Sequence, residues 1–136
     1  MINHAVIVLR DGKKILFIQR AVTKKSLPNV WAFPSGTVEE GETMEMTAIR
    51  EAREELGIDI EVKKALATIE LSKLGVCLHL FLCASKQCAS IIFDLKEIQK
   101  IQWMTLRAFF EEYDDSQIGH GLIFLRKHPE IWKELQ

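Results

Sequence analysis

The sequence has no run of apolar residues approaching the ~18 that a membrane-crossing helix needs, and its start lacks the basic-then-apolar pattern of a secretory leader. That reads as a soluble, cytoplasmic chain with no membrane partner. Cysteine is scarce. Cys77, Cys83 and Cys88 are odd in number, with no CxxC spacing and no histidines at ligand distances, so a disulfide scaffold and a zinc site are both excluded and the three read as reduced packing residues. Neither sign of charge is in excess. Eighteen basic against nineteen acidic residues leave a net charge of −1, too little field to hold a nucleic-acid polymer, so any polyphosphate ligand has to be met by local charge and metal. Linkers, repeats and low-complexity stretches are absent as well. With 136 residues, the chain is expected to form a single domain over 1–136.

What the sequence does have is concentrated between residues 36 and 58. Gly36 and Gly41 mark a turn-rich loop, Thr43 suits a helix N-cap, and good helix formers follow until Gly57. A helix is predicted from Thr43 to Leu56. Ala48, Ala52 and Leu56 fall on one stripe of it, with Ile49 at the edge, giving a face to bury. Glu51, Glu54 and Glu55 form the neighbouring stripe. Like charges one turn apart repel, and all three stand in the C-terminal half, where the helix dipole prefers cations. A compensating positive charge is therefore expected, from Arg50 and Arg53 or from a bound cation. Hard ions such as Mg²⁺ or Mn²⁺ suit carboxylate oxygens and leave room for waters and phosphates.

Gly36, five residues, Glu42, seven residues, then Arg50-Glu51-Ala52-Arg53-Glu54-Glu55-Leu56-Gly57-Ile58 match the Nudix box at every defining position, and Trp31-Ala32-Phe33-Pro34-Ser35 and Glu39 extend the match. Seven fixed residues at a frequency of ~5–7% each coincide by chance on the order of once in 10⁸ to 10⁹ starts. The chain resembles a small, MutT-like Nudix hydrolase. The resemblance implies an α+β chain with the α/β/α sandwich of the Nudix fold and a mixed β-sheet. It also implies metal-dependent hydrolysis of a nucleoside diphosphate derivative, with Mg²⁺ as cofactor and Mn²⁺ as substitute.

By position, the resemblance makes Glu51 and Glu55 metal ligands, Glu54 a ligand or general base, and Arg50 the residue that orients the glutamates. The backbone carbonyl of Ser35 is a further ligand, and so is Glu97, six residues before Trp103 of a late strand. Gly36, Glu42 and Gly57 are structural in the box. Substrate contacts are expected from Arg20, Lys24, Lys25, Phe33 and His120, the last flanked by Gly119 and Gly121 in a segment placed to close over substrate. Glu112, Asp114 and Asp115 are further candidates for the base.

The rest of the chain supports the fold. Strands are predicted at 4–10 and 14–20 about an Asp11-Gly12 turn, at Trp31-Ala32-Phe33, at 59–71, 74–85 and 98–104, with a short edge strand at 90–93. Residues 74–85 are apolar at both parities, as in a strand covered on both faces, and His79 within it reads as a satisfied core residue. Helices are predicted from Leu106 to Tyr113 and from Ile118 to His128.

No proline lies between Pro34 and Pro129, the only tyrosine is Tyr113, and Ala21 follows Arg20. These departures argue against relatives specialised for ADP-ribose, diadenosine polyphosphates and oxidised dGTP. A nucleoside triphosphate, ordinary or modified, is the default small-molecule substrate. The alternatives are a nucleotide sugar or other dinucleotide-type diphosphate, or a non-catalytic nucleotide-binding domain. The isomerase that shares this fold needs a cysteine upstream of the box, and the first here is Cys77. A monomer or homodimer is expected.

Overall fold

The computed structural model describes residues 1–135. Its seven strands are β1 (Ile2–Asp11), β2 (Lys14–Arg20), β3 (Trp31–Ala32), β4 (Ser35–Thr37), β5 (Glu61–Leu71), β6 (Val76–Ala84) and β7 (Ile98–Met104). The helices are α1 (Met44–Glu51), continued by a wider π-helical turn over Ala52–Leu56, then α2 (Leu106–Glu112), α3 (His120–Arg126) and α4 (Pro129–Trp132). The sheet is mixed and ordered β3-β2-β1-β6-β5, with β4 added on β1 and β7 on β2. β1 runs parallel to β6, and the remaining pairings are antiparallel. β1 touches β2 only at Arg10–Ile15 and Asp11–Lys14, beside the turn where Gly12 takes a φ of +64°, so the sheet forks beyond the hairpin.

Period-two alternation sorts the core onto two faces. Ala5, Ile7 and Leu9 of β1, Leu16 and Ile18 of β2, and Phe81 and Cys83 of β6 pack with Ala48, Ala52 and Leu56 of the first helix. Val6 and Val8, Ile15 and Phe17, and Leu80 and Leu82 face the other way, against Leu106 and Phe109 of α2 and Leu122 and Leu125 of α3. Phe17 and Phe109 stack with centroids 3.9 Å apart. Helical layers on both faces give the α/β/α sandwich. Cys77 and Cys83 are buried, and His79 bonds Asn3 at 2.9 Å.

Three local expectations are corrected. The first helix is α-helical only to Glu51. Beyond it the backbone widens, Gly57 N–H reaching back to the carbonyls of Ala52 and Arg53, with Gly57 itself left-handed at φ +65°. Residues 90–93 form no strand. Their segment instead lies across the end of that helix, where Ile92 and Asp94 donate backbone N–H groups to the carbonyls of Leu56 and Glu55 at 3.1 and 3.0 Å. Helix ends leave carbonyls without intrahelical partners, and this loop satisfies two of them. The stretch 118–128 is helical only over α3, because Asp114 caps a separate turn at Asp115–Gln117 and Ile118 bridges Trp31 of β3.

Candidate active site

The loop before α1 is built around Arg50. Its guanidinium donates to both oxygens of Glu42 (2.8 and 3.1 Å), to Glu51 at 3.0 Å, to Glu54 at 3.1 Å and to the carbonyl of Thr37 at 3.1 Å. One planar cation thus gathers three carboxylates and ties the helix to β4. Glu42 also accepts from the backbone N–H of Glu39 and from the Thr47 hydroxyl, both at 3.0 Å. Arg50 and these donors hold the Glu42 carboxyl at about 2, well below its ordinary 4.5. Thr43 caps the helix, accepting from Met46 N–H at 3.1 Å. A Cβ at Gly36 would stand 2.1 Å from the Glu51 carboxyl, so any larger residue there displaces that side chain.

Electrostatic compensation runs out at Glu55. Burial raises its carboxyl first, the neighbouring Glu51 charge second, to about 9, so at neutral pH it is an acid that hydrogen-bonds Glu51. Burial raises Glu51 too, against the pull of Arg50. Glu97 stands nearby, paired with Lys24 from the loop after β2. Among the described residues no three acidic, histidine or cysteine groups are arranged to hold a metal ion, and Glu51 and Glu97 lie against Arg50 and Lys24. The donor chemistry nevertheless fits a hard divalent cation, since it consists of carboxylates converging on a polar hollow and too few cations to neutralise them.

That hollow has a volume of about 360 Å³, and Glu51, Glu54, Glu55, Glu97, Lys24 and Ser35 line it. A second chamber of about 490 Å³ adjoins it, with His4 and Ser35 on the walls of both. Its walls come from β1, the loop after β2, the β5–β6 turn and the start of α3. Phe33 lies in its wall, 4% exposed, and His120 at its rim. The 118–121 segment does not hang free, because Gly119 N–H donates to the Trp31 carbonyl at 2.9 Å.

Other candidates stand elsewhere. Arg20 donates to the carbonyls of Ser26 and Leu27, shaping the loop rather than lining either chamber. Lys25 is exposed and lines neither. Glu112 is exposed and outside the acidic hollow, Asp114 caps its turn, and Asp115 pairs with Arg126 at 2.7 Å. Two titratable lining residues escaped sequence reasoning. Asp94 reaches the hollow through the loop misread as a strand. His4 carried a signal in being polar at a core parity, one step before Val6 and Val8, and burial lowers its pKa.

The model of the NUDIX domain matches residues 2–123. Nudix hydrolase 2 of Arabidopsis thaliana is 32% identical over 127 residues, covering 91% of this chain and 44% of that protein. The CTP pyrophosphohydrolase of Escherichia coli is 38% identical over 76 residues, 56% of this chain and 55% of that one. The chain spans less than half the length of the plant relative. Among solved structures, a NUDIX hydrolase from Nitrosomonas europaea superposes with a TM-score of 0.78 at 17% identity, over 98% of this chain and 72% of the other.

Proposed function

Because the chain belongs to the NUDIX domain family, we propose that it hydrolyses a diphosphate linkage in a free nucleotide, a nucleoside triphosphate, ordinary or modified, yielding nucleoside monophosphate and pyrophosphate. The observation that carries this reading is the junction at His4 and Ser35 between an acidic hollow and an apolar chamber large enough for a nucleoside. A diphosphate resists hydroxide because both are negative, so catalysis needs neutralised oxygens and a nucleophile available near pH 7. The name of the bacterial relative, a CTP pyrophosphohydrolase, agrees with a triphosphate substrate.

Glu51, Glu55 and Glu54, with the Ser35 carbonyl and Glu97, would hold Mg²⁺ or Mn²⁺, which when bound supplies charge neutralisation and acidifies water. Arg50 fixes the glutamates in place, so that little reorganisation accompanies reaction. Glu54 is the most exposed carboxylate of the trio, its side chain 58% exposed; with Oε2 held by Arg50, it would accept a proton from the attacking water. Lys24 lies where it can meet a phosphate oxygen once Glu97 is otherwise engaged.

The test is a substrate panel of triphosphates, nucleotide sugars, dinucleoside polyphosphates and coenzyme A, assayed with Mg²⁺ and with Mn²⁺ and read by product identity. Monophosphate and pyrophosphate released from triphosphates, and lost in chelator, is the expected result. Turnover of a nucleotide sugar or ADP-ribose far faster than every triphosphate would overturn the substrate reading. No turnover anywhere in the panel would overturn the enzyme reading.

A further inference from the structure

The apolar chamber is unusual in what its walls omit. Among the described residues, no Asp, Glu, Asn, Gln, Arg or Lys side chain lines it. Those side chains are the ones that pair donors and acceptors with a base edge, and the surface here is instead Val6, Leu71, Val76, Leu78 and Leu122. The few polar side chains sit at the margins. His4 and Ser35 stand at the neck shared with the acidic hollow, where the sugar and phosphate common to all nucleotides would pass in the proposed function. Ser26 and the exposed His120 offer groups that donate or accept alike, which specifies no base. Toward solvent the apolar surface continues in Leu27, 40% exposed, and Leu74, 55% exposed.

Building on the proposed hydrolase reading, we infer that this chain selects its nucleotide by apolar contact rather than by the base edge, so that it accepts all four bases and favours those carrying an apolar substituent. Sites that hydrogen-bond a substrate group reject analogues lacking it by about 10⁴–10⁵-fold, whereas apolar pockets discriminate by only about 10–200-fold per methylene-sized change. With His4 and Ser35 at the shared neck and Ser26 and His120 able to donate or accept alike, the bases differ chiefly in the apolar area they bury. The outward continuation through Leu27 and Leu74 gives an alkyl or aryl group on a purine a surface to cover.

Calorimetric titration of the full chain with AMP, GMP, CMP, UMP and N6-benzyl-AMP, each with Mg²⁺, tests this directly. The four natural monophosphates are expected to bind within about tenfold of one another, and N6-benzyl-AMP several-fold tighter than AMP. Leu78→Gln should weaken all of them together. Leu74→Ser, at an exposed turn where folding is not at risk, should cut the benzyl advantage by more than it weakens AMP. Preference for one base by more than about 100-fold, exclusion of N6-benzyl-AMP, or no binding at millimolar concentration would each overturn the inference. Hydrolysis of the matching triphosphates is followed in parallel. Even binding without cleavage would refute the hydrolase reading and leave this selection rule standing.

Discussion

Replacing Glu55 by glutamine tests the electrostatic account of the site at its most buried point. In the metal-free protein burial and Glu51 push this carboxyl up from 4.5 to about 9. The sign follows from proton counting. Between those two values the folded chain holds a proton that the unfolded chain has released, so stability falls as pH rises through that window. Each unit of pH costs up to about 1.4 kcal/mol per proton. From pH 5 to pH 8 the ceiling is about 4 kcal/mol, and sharing the proton with Glu51 reduces the expected loss to about 2–3 kcal/mol. Glutamine keeps a donor toward Glu51 and has no proton to lose, so Glu55→Gln in chelator should flatten this decline and exceed the wild type in stability at pH 8. Saturating Mg²⁺ should restore the wild type at pH 8, by about 2.7 kcal/mol at 100 times Kd, and help the variant much less. Denaturant unfolding at pH 5, 6, 7 and 8, with chelator and with Mg²⁺, reads all of this. Parallel pH profiles for the two proteins in chelator, or equal gains from Mg²⁺, would refute the reasoning.

Charge conflict alone did not point to a site, since surface helices also carry clusters such as Glu51, Glu54 and Glu55. What singled this one out was its coincidence with Gly36, Glu42 and the rest of the spaced motif. The core was legible because β1, β2 and β6 are apolar at both parities, as strands covered on both faces must be, and Ala48, Ala52 and Leu56 make a single helical stripe. What stayed hidden was set by partners distant in sequence. The π-helical turn leaves no signature in Ala52–Leu56, all of whose residues are acceptable in an α-helix. The 90–93 segment has the composition of a strand, yet it is held by the carbonyls of Glu55 and Leu56 rather than by a neighbouring strand. Asp94 came to the site with it. The roof of the apolar chamber at Leu71, Leu74 and Leu78 is equally a product of topology, because it depends on β6 lying parallel to β1.

Further substitutions separate the remaining roles. Gly36→Ala should cost about 1–3 kcal/mol by driving a Cβ into the Glu51 carboxyl, and activity should fall further than stability; a variant with wild-type melting and turnover would contradict the observed packing. Glu54→Gln should lower kcat by about 10²–10⁴-fold with KM little changed, and an unaltered kcat would remove Glu54 from consideration as the base. Lys24 offers the sharpest case, because it has two possible functions with opposite signatures. It pairs with Glu97, and its charge lowers the Glu55 pKa that Glu97 raises. If its task is to neutralise that cluster, Lys24→Met leaves Glu97 unpaired, so the metal-free protein should become less stable at pH 8 and gain more from Mg²⁺ than the wild type does, with KM nearly constant. If the lysine instead meets substrate phosphate, KM should rise while the response to Mg²⁺ stays at the wild-type level. Glu97 shares the hollow with Glu51 and Glu55, and under the proposed function it would turn to a bound cation and free Lys24 during turnover. Both signatures are therefore expected in one variant: a larger gain in melting temperature with Mg²⁺ and a raised KM. Melting curves and steady-state kinetics on Lys24→Met and Lys24→Arg decide it, and a variant changed in neither measurement would show the ion pair to be only a surface contact.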